Sequence, residues 1–148
     1  MHSRKMSAML GDIVSVLAVS PSHRNLRVSD LTRAVLPALA SGQYKIALGQ
    51  DEITGYSRPV ATVLWARVSS TVDQRLAANI AAGVQIAADE WISGDTLWIV
   101  EAAGSREALI PLFNDLRKGA WGTSEVKYRT LSTTGLAVVG VLGPQMAS

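Results

Sequence analysis

Apolar residues recur at helical spacing in the first part of the chain and predict two helices. Residues 7–19 have the pattern of an amphipathic helix with one buried face. A second helix, residues 31–40, is expected to begin after Asp30, because an aspartate side chain accepts hydrogen bonds from the free N–H groups of a first turn. Pro37 should kink this helix or mark a shortened end, and Gly42 is suited to its C-terminus.

Alternating and β-branched residues predict two strands next, at residues 43–48 and 58–68. The segment between them is typical of a hairpin loop, so the two strands should pair as neighbours. In the second strand, Val63 and Trp65 are expected to share one face of the sheet, while Leu64 lies on the other.

The second half of the chain alternates between helix and strand patterns. In order, it predicts a helix from Thr71 or Asp73 that Gly83 ends or loosens, a strand at residues 97–100, a helix at 106–118, and strands at 125–131 and 136–142. The last strand is almost wholly apolar, which is typical of a central strand. The element order α-α-β-β-α-β-α-β-β predicts a single α/β (α+β) domain, with a mixed sheet flanked by helices on both faces.

The segment from residue 89 to residue 105 carries a turn, a buried strand and the start of a helix. Ser93-Gly94-Asp95 is a turn pattern, and Ser105 is a suitable N-cap for the helix that follows the strand. Asp95 is therefore expected at the mouth of a strand that leads into the core, where a side chain can be rigid and still reach a substrate. From the local pattern alone, Asp95 is more simply the third residue of a turn.

Composition narrows the protein class without identifying it. The 148 residues, 48% hydrophobic and 18% charged, are typical of one globular domain spanning residues 1–148, with residues 1–6 expected to be disordered. The absence of cysteine excludes a disulfide framework, cysteine catalysis and thiolate metal sites. A net charge of +2 and the lack of a lysine-rich or arginine-rich run give no indication of nucleic-acid binding.

The N-terminal segment resembles an export signal only briefly. Its basic start is followed by apolar residues, but Gly11 and Asp12 interrupt the run, and residues 13–19 are too few to span a bilayer. We therefore expect no membrane span and a cytoplasmic location.

His23 is the natural candidate for acid–base chemistry. The chain has two histidines, and His2 lies at the terminus, whereas His23 lies in a loop of turn-forming residues. Histidine titrates near neutral pH without perturbation, which suits a general base. A single loop histidine is, however, more often solvated or structural than catalytic.

Five motifs occur in an order that resembles the RTX toxin-activating lysine acyltransferase (haemolysin C-like) family, from about Leu10 to about Arg129. They are Ser20-Pro21-Ser22-His23-Arg24-Asn25, Val35-Leu36-Pro37-Ala38, Gln43-Tyr44, Trp65-Ala66-Arg67-Val68-Ser69 and Glu90-Trp91-Ile92-Ser93-Gly94-Asp95. The resemblance implies a fold similar to the Gcn5-related acetyltransferases. It also implies transfer of a fatty acyl group from acyl carrier protein to an internal lysine of an RTX protoxin, which activates the toxin, with no bound cofactor and no metal.

The resemblance further implies that His23 and Asp95 are catalytic. A lysine amine, with an ordinary pKa of about 10.4, becomes a nucleophile only after it loses a proton, which a neutral imidazole can accept. A carboxylate near the imidazole can fix its tautomer and stabilise the imidazolium. An acyl-imidazole intermediate on His23 is a competing mechanism. The substrate-binding candidates are Ser20, Arg24, Trp91 and Arg129, although Trp91 considered alone is a core or rim residue.

Two other functions stay open from the sequence. A coenzyme-A acetyltransferase is a close variant, but its Arg/Gln-x-x-Gly-x-Gly/Ala pyrophosphate loop is absent, and Gly104-Ser105-Arg106 is a poor substitute. The other is a non-catalytic relative that binds acyl carrier protein or a toxin as an assembly factor. The presence of both His23 and Asp95 favours the enzyme. A homodimer is also left open.

Overall fold

A five-stranded mixed sheet with helices on both faces forms the body of the protein in the computed structural model, which describes residues 2–21 and 23–143. The strands are β1 (Tyr44–Gln50), β2 (Ser57–Val68), β3 (Thr96–Gly104), β4 (Val126–Leu131) and β5 (Ala137–Leu142). The helices are α1 (His2–Val19), α2 (Val28–Asp30), α3 (Leu36–Ser41), α4 (Ser70–Ala78) and α5 (Arg106–Lys118), with a π-helical turn at Leu31–Val35 and 3₁₀ turns at Ile80–Ala82 and Ala88–Glu90. This arrangement confirms the predicted α+β fold. Motif residue Ser22 lies outside the described residues.

The strands lie in the order β1-β2-β3-β4-β5, and every neighbouring pair is antiparallel except β3 with β4. The parallel pairing is short, because only Leu97 with Val126 and Trp98 with Lys127 are in register. Beyond these positions β3 and β4 separate, while β3 stays paired with β2 along its length. A wedge-shaped gap therefore opens within the sheet.

A polar contact fixes the two strands where the wedge begins. Asp73 of α4 accepts a hydrogen bond from Nε1 of Trp98 on β3 (2.8 Å) and from Nζ of Lys127 on β4 (2.9 Å). Because Trp98 and Lys127 are register partners, one carboxylate holds both strands at the same level.

Two apolar clusters fill the two faces of the sheet. The first lies between the sheet and α1, α3 and α4, and includes Ile13, Leu39, Leu64, Leu76 and Trp98. The second lies between the sheet and α5, and includes Val63, Trp65, Leu97, Leu112 and Trp121. The opposite faces predicted for Leu64 and Trp65 are confirmed.

A β-bulge interrupts β3 at Val100. Trp65 of β2 lies opposite Ile99, but the adjacent Leu64 lies opposite Glu101, so Val100 is the extra residue. Strict alternation would place Glu101 on the α5 face together with Ile99. The bulge shifts the alternation, and Glu101 instead shares the face of Leu64, which packs toward α1.

The proline in the second helical region is accommodated by a change of helix type. Residues Leu31–Val35 form a π turn, and α3 then has Pro37 in its first turn. The helical conformation continues through the π turn, in which the N–H of Leu36 donates to the carbonyl oxygen of Leu31, and this wider turn directly precedes the proline, which has no N–H to donate. Gly42 ends α3 in the left-handed conformation with φ of 73°, as predicted.

The two later helices differ in how well their ends were predicted. α5 has the predicted bounds, and the Ser105 hydroxyl accepts from the N–H of Ala108 (3.2 Å) as its N-cap. α4 ends at Ala78, short of the predicted limit at Gly83, and a 3₁₀ turn fills the interval. No helix in the described ranges is long and apolar enough to cross a membrane.

The position of the last strand was predicted wrongly. β5 lies at the edge of the sheet and pairs with β4 alone among the described strands, although its apolar run predicted a central strand. Val138 and Val141 are 38% and 49% exposed. An apolar run shows that a strand has residues for burial, but strand order depends on connections and on which faces other elements cover.

Candidate active site

His23 is held in a tight turn directly after α1. Its N–H donates to the carbonyl oxygen of Ser20 (3.0 Å), and its carbonyl oxygen accepts from the N–H of Leu26 (3.0 Å). The first cluster fixes α1 against the sheet, so the side chain of His23 faces β3 while the rest of the turn stays exposed. The imidazole is only 15% exposed.

Both ring nitrogens of His23 have hydrogen-bond partners. Nδ1 lies 2.7 Å from Oγ of Ser20, and Nε2 lies 2.6 Å from Oε2 of Glu101. Because an ionised carboxylate only accepts hydrogen bonds, we assign the hydrogen of the neutral imidazole to Nε2. Nδ1 is then the nitrogen with the free lone pair. The Ser20 hydroxyl donates to that nitrogen. The three side chains therefore form a serine–histidine–glutamate array.

A cavity of about 580 Å³ opens beside this array, within the wedge between β3 and β4. This volume lies within the range of small-molecule sites. The lining residues are His23, Gly83, Val84, Ile99, Val100, Glu101, Ala102, Phe113, Tyr128, Arg129 and Leu142. Val84 and Val100 pack against the first apolar cluster, whereas Phe113 and Leu142 pack against the second. The cavity therefore passes through the sheet.

Residues 80–84, here called the wall segment, form one side of the cavity through Gly83 and Val84. Arg129 of β4 holds this segment, since its Nε donates to the carbonyl oxygen of Ile80 (2.7 Å) and its Nη2 to that of Ala81 (3.3 Å). Gly83 has φ of 96° and ψ of 176°, a conformation that only glycine adopts without strain.

A second arginine anchors the chain just beyond the wall segment. Nη2 of Arg75 donates to the carbonyl oxygen of Gln85 (3.1 Å), and its guanidinium binds both carboxylate oxygens of Glu90 (2.7 and 2.8 Å). The hydrogen bonds from Arg75, together with one from the N–H of Ala87, hold the pKa of Glu90 at about 2, below its ordinary 4.5. The wall segment is therefore tied to α4 as well as to β4.

Asp95 does not meet His23 in this structure. It is exposed and immediately precedes β3, with no recorded hydrogen bond to a described residue, roughly 15–20 Å along the strand from Glu101. The turn before it is anchored to β2: the N–H groups of Ser93 and Gly94 both donate to the carbonyl oxygen of Arg67 (2.8 and 3.2 Å). The carboxylate beside the imidazole is that of Glu101, and the expected pairing with Asp95 is absent.

The four substrate-binding candidates have different surroundings. Ser20 belongs to the array, and Arg129 lines the cavity while its guanidinium holds the wall segment. Arg24 is exposed, with no recorded side-chain partner among the described residues. Trp91 is 2% exposed, lies in the first cluster and is not a lining residue of the cavity.

Sequence reasoning missed Glu101, although one signal was present. Glu101 directly follows a run of four strand-forming residues, and a carboxylate at that position on a buried strand needs a partner. Its partnership with His23 depends on the bulge at Val100, which no local pattern indicates. Among residues 2–21 and 23–143, no three His, Asp or Glu side chains are grouped so that they could hold a metal ion.

Comparison with known proteins adds independent information. A model of the RTX toxin acyltransferase family matches residues 2–141. Similar proteins are the RTX-II toxin-activating lysine-acyltransferase ApxIIC of Actinobacillus pleuropneumoniae (31% identical over 93 residues, 63% of this chain and 52% of the relative), the protein-lysine myristoyltransferase HlyC of Escherichia coli (32% over 101 residues, 68% and 54%) and the leukotoxin-activating lysine-acyltransferase LtxC of Aggregatibacter actinomycetemcomitans (33% over 93 residues, 63% and 50%). The chain spans about half the length of these curated relatives. Because the family match covers nearly all of its residues, the chain belongs to the RTX toxin acyltransferase family.

Proposed function

We propose that this protein is a lysine acyltransferase that moves a fatty acyl group from acyl carrier protein to an internal lysine of an RTX protoxin. The observation that carries the proposal is the His23–Glu101 pair beside a cavity with an apolar end. Acyl transfer to an amine requires a base and a place for the acyl chain, and the site offers both. The names of the relatives, toxin-activating lysine-acyltransferases and a protein-lysine myristoyltransferase, support the same reaction.

In the proposed reaction, the lysine amine takes the place of the Ser20 hydroxyl beside Nδ1 of His23. The lysine nitrogen attacks the thioester carbonyl carbon, and Nδ1 accepts a proton from the amine. Glu101 holds the ring through Nε2–H and stabilises the imidazolium that forms. The tetrahedral intermediate then expels the thiolate, which takes the proton from His23, so that amide and free thiol are the products. Such proton transfer contributes roughly 10²–10⁴-fold in rate.

The wedge is the proposed place for the thioester carbonyl. After Trp98, the backbone groups of β3 on the side of β4 have no strand partner among the described residues. Backbone N–H groups without a partner can stabilise the oxyanion of a tetrahedral intermediate. Parallel strands that separate around a cavity also support the proposed relation to the Gcn5-related acetyltransferase fold.

The catalytic carboxylate is proposed to be Glu101. The role of Asp95 stays a prediction from the resemblance, and the 2.6 Å contact between Nε2 of His23 and Glu101 favours Glu101 for orienting the ring. Glutamate is long enough to reach the imidazole from the bulge while its backbone stays in β3.

Acyl carrier protein is the proposed donor rather than coenzyme A. The N-terminus of α5, where a pyrophosphate group would bind, is capped by its own Ser105. The exposed side chains of Arg24 and Arg27 follow His23 closely in the chain and have no recorded side-chain ion pair among the described residues, which suits an acidic partner. Transfer from the two donors should be compared at low and high salt. Preference for acyl carrier protein that weakens as salt rises supports the proposal, and equal, salt-insensitive use of both contradicts it.

The decisive variant for the proposed function is His23→Ala. Transfer from acyl carrier protein to a protoxin lysine, followed by mass spectrometry, is expected to fall roughly 10²–10⁴-fold. Thermal unfolding should change only modestly, because the substitution removes two side-chain hydrogen bonds, to Ser20 and Glu101, but no residue of the buried core. Asn25→Ala, in the same turn, is the matched control for disturbance of the turn. Binding of protoxin without transfer by the wild-type protein would instead favour the non-catalytic alternative.

A further inference from the structure

The two ends of the cavity differ in chemistry. The cavity lining contains four ionisable side chains. Three of them lie at the α1 end, namely those of His23, Glu101 and Arg129, and the fourth is the phenol of Tyr128 on the α5 face. On the α5 face, the lining consists of apolar side chains and the ring of Tyr128. The two ends communicate through the gap between β3 and β4. The cavity therefore suits a ligand that is polar at one end and hydrocarbon at the other.

Phe113 is positioned to close the apolar end. It projects from α5, and its ring is backed by Trp121, with ring centroids 5.8 Å apart. Trp121 is 2% exposed and is itself held edge-on by Trp65 at 5.8 Å. A ring supported by two buried indoles has little freedom to move aside.

The side wall at this end is equally constrained. Tyr128 lies across Gly140 of the neighbouring strand, and a Cβ at Gly140 would overlap the Tyr128 ring. Glycine at this position therefore lets the ring lie flat against β5. Leu142, also on β5, completes the apolar wall.

From this arrangement we propose that the acyl chain of the donor runs from the thioester at His23 through the gap between β3 and β4 and ends against Phe113, which sets the longest chain that the protein transfers. This inference rests on the proposed function and specifies the acyl subsite of the same site. The pantetheine arm of a donor carries amide groups that need hydrogen-bond partners, so the apolar end suits the hydrocarbon better. The carrier itself then approaches from the side of the exposed turn that holds His23.

The chain-length profile of transfer tests the proposal. Each methylene that leaves water is worth roughly a fourfold gain in binding. Phe113→Leu should therefore shift the optimum to longer acyl chains and raise the use of a donor two carbons beyond the wild-type optimum, relative to that optimum, by roughly tenfold. Ala102→Val narrows the gap from the same face and should shift the profile toward shorter chains.

A matched control separates this effect from general disturbance of α5. Leu109 lies one turn before Phe113, packs against the same cluster and does not line the cavity. Leu109→Ala should lower stability and leave the chain-length profile unchanged. If Phe113→Leu lowers transfer equally for all chain lengths, Phe113 is structural or contacts the pantetheine arm, and the proposal is wrong.

A second measurement keeps the acyl subsite testable without catalysis. A fatty acid with a diazirine at its methyl end, irradiated with the wild-type protein, should crosslink to α5 or β5, and Phe113→Trp should reduce that labelling. Labelling confined to other elements overturns the subsite even when transfer occurs. Absence of transfer with crosslinks at α5 would instead leave the subsite standing and reject the proposed reaction.

Discussion

Strand β3 has an acidic residue near each end, and the surroundings of the two residues differ. Asp95 precedes the strand beside a turn that is anchored to β2 by regular backbone hydrogen bonds. Glu101 lies at a bulge, next to the gap between β3 and β4, and its carboxylate contacts His23. The regular end stabilises the sheet, whereas the irregular end opens a space and aims a side chain into it.

Because the two ends of β3 differ, substitutions at each end should have different effects. At the Asp95 end, substitutions that disturb the packing of the turn against β2 should lower the stability of the fold, while loss of the Asp95 carboxylate should change the rate of transfer little. At the Glu101 end, loss of the acidic group should alter chemistry with little effect on stability. The following experiments test this division, from the largest expected effect to the smallest.

Gly94→Ala should destabilise the fold strongly. A Cβ at this position would lie 2.5 Å from the carbonyl oxygen of Val68 and 2.6 Å from Cα of Ser69, both backbone atoms that cannot move aside easily. We expect a loss of about 2–4 kcal/mol in the free energy of unfolding, measured by denaturant titration. Gly11→Ala is the matched control, because its Cβ would meet no atom within 4 Å in a helix, and it should be neutral or stabilising. Equal stability of the two variants would contradict the anchoring role of the turn.

Arg129→Gln should weaken donor binding more than the chemical step. The guanidinium holds the wall segment through two carbonyl oxygens and contacts neither His23 nor Glu101 in the described hydrogen bonds. Loss of both bonds should raise the donor KM roughly fivefold to tenfold with kcat nearly unchanged. Arg129→Lys, which can reach one carbonyl oxygen, should recover part of the loss, and Arg106→Gln on α5 is the surface control. A fall in kcat alone would make Arg129 a catalytic residue instead.

Ser20→Ala should have a moderate effect on rate. Removal of the hydroxyl takes one hydrogen bond from Nδ1 of His23 but leaves the ring oriented by Glu101, so kcat should fall about fivefold. Mass spectrometry of the protein mixed with donor alone should then detect no acyl-serine. A loss near that of His23→Ala, together with an acylated Ser20 in the wild type, would show that the hydroxyl is a nucleophile.

Glu90→Gln should change the acid stability slightly. Because the pKa of Glu90 is lowered from 4.5 to about 2 in the folded state by Arg75, the ionised carboxylate stabilises the fold above pH 4.5, and this contribution is lost as the pH falls toward 2. The pair is partly exposed, so the effect should stay below about 1 kcal/mol. Thermal unfolding at neutral pH and near pH 3 should show a smaller difference between the two conditions for Glu90→Gln than for the wild type. An unchanged difference would contradict the coupling.

The elements that the sequence predicted best are those with local determinants. Ser105 and the apolar residues of α5 define that helix without reference to the rest of the chain, and Gly42 ends α3 because only its left-handed conformation closes the helix there. The edge position of β5 could not be read in this way. Strand order depends on contacts between elements that are distant in the sequence, and an apolar run is compatible with an edge position or a central one.

The candidate site was predicted only in part, because local patterns do not show which residues meet across the fold. His23 could be selected because histidine is the usual residue for acid–base chemistry near neutral pH, and from the family resemblance. Glu101 could not, because strict alternation along β3 places it on the α5 face, and only the bulge at Val100 brings it to the face of His23. Asp95 was favoured by the family resemblance, whereas its local pattern indicates only a turn, and in the structure that turn contacts β2.

The most direct test of the account compares Glu101→Gln with Asp95→Asn in one assay. Both substitutions keep size and remove charge, and both rates of transfer to a protoxin lysine should be measured with thermal unfolding of the same samples. We predict a fall of roughly 10²-fold or more for Glu101→Gln, a change of less than about twofold for Asp95→Asn, and similar unfolding temperatures. A large loss for Asp95→Asn with normal activity of Glu101→Gln would contradict the assignment of Glu101 as the residue that orients His23.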